Sequence, residues 1–229
     1  WNGTVWDTEA AVGTALPLSV WALDEKTAWA VGYDGLILKW DGMSWAQQSK
    51  AGDLGFAALS GVWAAGPTAR GGVGEEGTIA MWDGMAWHRQ TSGTQSFLSS
   101  VWGADPDNIW AVGEGGEIRK WNGTSWSPQA SPTTENLSAI WGMDSKNVWA
   151  VATEGTIIKW DGTAWVPQAS GTTAQLSSVW GIDADNVWAV GSQGTILRLK
   201  EGAWEQVMDV NTTEFLTRVW GTDADNVWI

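Results

Sequence analysis

The register of the tryptophans constrains this chain more than any other feature. Val-Trp or Ile-Trp places an indole at Trp21, Trp63, Trp102, Trp141, Trp180 and Trp220, at intervals of 42, 39, 39, 39 and 40 residues. A second landmark follows each of the first five by 19 residues, at Trp40, Trp82, Trp121, Trp160 and Leu199. The fixed offset excludes insertions inside the first half of the unit. Length variation is left to the second half, which must therefore hold a surface loop.

One unit reads LSSVWG, a D-x-D-N turn, NVWAVG, a short turn, GTIIKW, a D-G turn and a last run such as AWVPQAS. Each run is short, rich in Val, Ile, Thr and Trp, and bounded by Gly, Asp or Asn, the signature of β-strands joined by turns. Tight hairpins are expected at Ser192-Gln193 and Thr153-Glu154, and no stretch reads as a helix. Four short antiparallel strands repeating at about 40 residues predict an all-β fold, the β-propeller, with sheets standing radially around a channel. Both faces of each sheet then pack on neighbours, which fits VWAVG lacking polar/apolar alternation.

Complete units are expected at 16–58, 59–97, 98–136, 137–175 and 176–215 of one domain spanning 1–229. WNGTVW at the start matches WDGMSW from Trp40, the end of a third strand, and LTRVWGTDADNVWI at the other end supplies a first and second strand. Segments 216–229 and 1–15 would thus form a composite sixth blade, with nine positions of one strand unfilled. An open blade edge of this kind invites self-association.

All 22 tryptophans fall into four repeat positions, with none in a variable loop. The rings are therefore read mainly as framework filling the wedge between twisted sheets, each indole N–H needing a partner. The set opening the fourth strand, Trp45, Trp87, Trp126, Trp165 and Trp204, is the one expected to be partly exposed and able to stack on a ligand.

Charge narrows the partners. With 26 acidic and 12 basic residues the formal charge is −14, which repels phosphate backbones and argues against nucleic acid. No window approaches about 18 consecutive apolar residues, so membrane insertion is not expected. There is no cysteine, which excludes disulfides and thiol chemistry. No phosphate-binding loop, nucleophile elbow or zinc motif occurs, and the expectation is a protein that is not an enzyme and holds no cofactor.

Asp105, Asp107, Asp183, Asp185, Asp223 and Asp225 in the D-x-D-N turns are candidate calcium ligands. The full calcium-loop pattern is missing, and side-chain-to-backbone turns explain them more simply. In a ring the second-to-third and fourth-to-first connections share one face. The former vary, carrying Tyr33, Asp34, Glu75, Glu76, Glu114, Glu154 and Gln193, and this is where a ligand is expected. His88 and Arg89, and Arg70-Gly71-Gly72, depart from the repeat in the second unit.

The run NVWAVGSQGTI, followed in other units by KWDGTAW or KWNGTSW, resembles tectonin-type repeats, the tryptophan-rich units of tachylectin-like lectins. It is also similar to tryptophan-rich propeller repeats of secreted or surface proteins of bacteria. The resemblance implies a secreted or cell-surface ring binding glycans at several equivalent sites. The alternative is a structural or protein-interaction module of a larger surface protein, with another protein surface as its partner.

Overall fold

The computed structural model describes residues 16–49, 55, 58–66, 70–207 and 212–229. Five four-stranded antiparallel sheets follow one another. The first holds β1 (Pro17–Asp24), β2 (Thr27–Gly32), β3 (Ile37–Trp40) and β4 (Trp45–Ser49). The second holds β5 (Leu59–Ala64), β6 (Arg70–Gly74), β7 (Ile79–Trp82) and β8 (Trp87–Gln90). The third holds β9 (Leu98–Asp105), β10 (Asn108–Gly113), β11 (Ile118–Trp121) and β12 (Trp126–Pro128). The fourth holds β13 (Leu137–Asp144), β14 (Asn147–Ala152), β15 (Ile157–Trp160) and β16 (Trp165–Gln168), and the fifth β17 (Leu176–Asp183), β18 (Asn186–Gly191), β19 (Ile196–Lys200) and β20 (Ala203–Gln206). A hairpin of β21 (Trp220–Asp223) and β22 (Asn226–Trp228) begins a sixth. Strands pair in sequence order within every sheet, and the first strands of successive sheets pack side by side, so each sheet is a propeller blade. The composite blade expected to use segment 1–15 lies outside the described residues.

Register explains the tryptophans. On one face of the third blade Trp102, Trp110 and Lys120 are cross-strand partners. The two rings stack at 6.0 Å and the ammonium lies 4.7 Å from the Trp110 centroid. Trp141, Trp149 and Lys159 repeat the arrangement, as do Trp180, Trp188 and Arg198. A first-strand ring then rests on the next blade: a Cβ at Gly103 would stand 2.6 Å from Trp63, and one at Gly142 2.6 Å from Trp102. Glycine at that position is what lets the blades close on the indole.

Serines of the LSS run join the blades. The Ser60 hydroxyl reaches the carbonyl of Val73 in its own blade at 3.1 Å and that of Leu98 in the next at 2.6 Å. Ser99 bridges Val112 and Leu137 in the same way, and Ser177 bridges Val190 and Leu216. The second serine accepts from the neighbour instead, the Val219 N–H donating to Ser178 Oγ at 3.2 Å.

Two expectations are corrected. Trp87, Trp126, Trp165 and Trp204 are only 4, 8, 5 and 9% exposed, while Trp45 is half-buried. The outer strand is covered because its ring turns into the gap between blades, as where Trp29 of the first blade meets Trp87 of the second at 5.7 Å. Nor does every buried indole N–H find an acceptor. Trp204 donates to Gln168 at 2.9 Å, yet the indole N–H groups of Trp87, Trp110, Trp126, Trp149 and Trp165 have no hydrogen-bond partner among the described residues.

Candidate functional site

The turns at the two rims of the ring use their polar side chains differently. On one rim the D-x-D-N turns bond to themselves. Asp183 accepts the Asp185 N–H at 2.9 Å, and both its oxygens accept from Asn186 Nδ2, also at 2.9 Å. Asp105 with Asn108, and Asp223 with Asn226, follow the same plan. The Asn186 amide, then the Asp185 N–H, hold the Asp183 carboxyl below its ordinary range, and Asn226 does the same for Asp223.

The D-G turns beside them are built alike. Asp83 accepts the N–H groups of Met85 and Ala86 at 2.8 and 2.9 Å and pairs with His88 at 2.8 Å. The Ala86 N–H, then that of Met85, with His88 alongside, lower the Asp83 pKa to about 2. Asp107, Asp185 and Asp225 are exposed. Among the described residues no three Asp, Glu, His or Cys side chains converge in a way that would hold a metal.

On the other rim the second-to-third connections are two-residue turns one position later than expected. Asp34-Gly35, Glu76-Gly77, Glu154-Gly155 and Gln193-Gly194 all have positive φ at both residues, the primed geometry that matches strand twist. A bond such as Thr195 N–H to Ser192 O at 3.1 Å closes each. In three blades the corner coils into a 3-10 turn, at Glu75–Gly77, Glu114–Gly116 and Ser192–Gly194, where no helix was expected. In four blades the left-handed residue projects outward; in the third that position is Gly115, and Glu114 precedes it. Asp34, Glu76, Glu114, Glu154 and Gln193 are exposed, and none makes a side-chain hydrogen bond with a described residue. Tyr33 is also exposed, and Glu75 is half-buried.

The fourth-to-first loops lie over these turns, as the ring reading expects. In the second blade the Gly77 N–H donates to Ser96 O at 3.0 Å, and a Cβ on Gly77 would stand 2.1 Å from Thr94 O. The loop is held by S-x-T bonds: Ser92 Oγ donates to Thr94 O at 3.3 Å and Thr94 Oγ1 accepts from Ser96 N–H at 3.1 Å. The predicted residues are thus spread one or two per blade around a rim and do not meet in one cavity.

A cleft of about 500 Å³ opens on this rim in the second blade, between the Glu76 turn and the segment from Arg89 to Gln95. Glu76 is the one predicted site residue that lines it. Arg89, singled out as a departure, also lines it and donates to the Gly55 carbonyl at 3.0 Å. Its neighbour His88 points to the opposite side, because successive strand residues alternate.

Sequence reasoning missed the adjoining pair. In the third blade Glu117 and Arg119 stand where the fourth has Thr156 and Ile158 and the fifth Thr195 and Leu197. Arg119 Nε donates to Glu117 Oε1 at 2.6 Å, and Thr94 Oγ1 donates to Glu117 Oε2 at 3.3 Å. The signal was in plain view, GEIRKW against GTIIKW.

No family model matches the chain, and no curated protein matches it in sequence. Its fold is shared with solved propellers. YCF48 bound to D1 peptide superposes with a TM-score of 0.76 at 20% identity, over 98% of this chain and 80% of that one. YCF48 from Cyanidioschyzon merolae gives 0.65 at 16%, over 92% and 91%. The WD40 repeats of RRP9 give 0.74 at 14%, over 91% and 70%. The chain is a β-propeller of tryptophan-rich repeats, with five blades and part of a sixth described.

Proposed function

We propose that this propeller is a non-catalytic module that binds a segment of another protein across the rim carrying Asp34, Glu76, Glu114, Glu154 and Gln193, within a larger surface or secreted protein. One observation carries the reading. The first Asp and the Asn of the D-x-D-N turns are tied up within those turns, leaving one exposed Asp in each of three, whereas every tip named on the opposite rim presents its side chain outward with no described partner. That YCF48 has been solved with a peptide bound supports a polypeptide as the partner.

The glycan-binding reading drew on repetition, on acidic and amide side chains and on any open fourth-strand rings, and of those rings four of the five are buried. A sugar would have no indole face there on which to stack.

The test is a paired screen of the intact chain against a glycan array and a phage-displayed random peptide library. Peptides should be enriched, and their binding should be lost on replacing Glu154 and Gln193 by Arg but kept on replacing Asp161 and Asp185. Retention of glycans with no enriched peptide would overturn the proposal.

A further inference from the structure

The Glu117–Arg119 pair is the strongest break in the repeat that the rim carries. Residue 119 lies on a face where Ala80, Ile158 and Leu197 are fully or almost fully buried. A guanidinium placed there loses hydration, and a structural role would call for its nitrogens to be satisfied internally. Only one is. Nε is bonded to Glu117, while the two η-nitrogens have no partner among the described residues.

Beside Nη1 stands Gly93, exposed and left-handed at φ +76°, where an added Cβ would stand 3.1 Å from Arg119 Nη1. Gly93 also walls the cleft, so the open end of the guanidinium sits against the cleft's own lining, with Arg89 on the same wall. Glu117 is pinned by Thr94, which fixes the plane of the Arg119 fork. A planar fork held through Nε, with both η N–H groups left over, matches a carboxylate.

We infer that the junction of the second and third blades captures a carboxylate of the bound polypeptide, an Asp or Glu side chain or a chain terminus, through Arg119 supported by Arg89. This rests on the protein-binding reading and sharpens it to one acidic group at this junction, because none of the other four complete blades carries the pair.

The intact chain is panned against phage-displayed random dodecapeptides, and the recovered peptides are synthesised. Each is compared with its Asp/Glu→Asn/Gln counterpart and with its C-terminal amide, which separates a side-chain carboxylate from a terminal one. The expected result is 1:1 binding that weakens about tenfold or more when the essential carboxylate is neutralised. The double variant Glu117→Thr, Arg119→Ile, which gives the third blade the residues of the fourth, should keep the wild-type circular dichroism and melting profile and lose the acidic preference. Gly93→Ala should weaken binding in the same direction by crowding Nη1. Peptides that bind equally well without a carboxylate, or equally well to the double variant, would overturn the carboxylate inference and leave the protein-binding reading standing. Failure to enrich any peptide would overturn both.

Discussion

Gly71 and Met81 are cross-strand partners in the second blade, and together they replace the Trp–Lys pair of the first, third and fourth blades and the Trp–Arg pair of the fifth. A Cβ on Gly71 would stand 2.8 Å from Met81 Sδ, so the thioether occupies the space an indole fills elsewhere. The two positions have exchanged as a unit. Gly71→Trp alone should overpack the sheet and destabilise by about 1–3 kcal/mol, and adding Met81→Lys should recover much of that loss. Urea denaturation of the two single variants and the double variant would measure the coupling.

The inter-blade serines give a second test. Ser177→Ala removes the hydroxyl that reaches both Val190 O and Leu216 O, leaving buried carbonyls short of a donor. A loss of about 1–3 kcal/mol is expected from thermal or chemical melts, with no change in the far-ultraviolet spectrum.

Acid stability should carry the mark of the D-G turns. The Asp83 pKa is depressed from the ordinary 3.8 to about 2 in the folded chain. Its contribution is therefore complete above the unfolded value and is lost as pH falls from about 4 towards about 2. Asp83→Asn keeps the turn, since Asn122 accepts the same two N–H bonds in the third blade, at 3.0 Å each. That variant should show a flatter acid limb than the wild type in urea melts between pH 5 and pH 2.

Replacing Trp165 addresses the tryptophans directly. Ala at this position should cost about 3–5 kcal/mol of stability, as for a large buried ring. Partner binding at temperatures where the variant is still folded should be unchanged. Acrylamide should quench Trp220 and Trp228, 58 and 54% exposed, well before the fourth-strand rings.

The propeller was legible because its determinants recur: an indole every 39 to 42 residues and a D-G or N-G turn at fixed offset leave few alternatives. The burial of Trp87 and Trp126 was not legible. Position on an outer strand suggests exposure, and only the approach of the next blade shows the ring turned inward. The rim bearing Asp34 and Gln193 followed from topology, but its turns were placed one residue early. Gly35 and Gly194 read as flanks of the turn when they are its second corner. Glu117 and Arg119 were not legible in the same way, since GEIRKW keeps the tryptophan register and reads as an ordinary variant of the third strand. A charge at an otherwise buried position was the better signal.

On the rim proposed to bind, the tips of the second, third and fifth blades are tethered from the side as well as along their own strands. Gly77 is tied to Ser96, and Gly194 donates to Glu214 O at 2.8 Å. Such tips have surrendered their freedom during folding, so an incoming chain meets a stiff palisade and little further ordering cost falls on the complex. Selectivity at this rim then comes from which residue crowns each post, and swapping crowns between blades should retarget the ring without reshaping it.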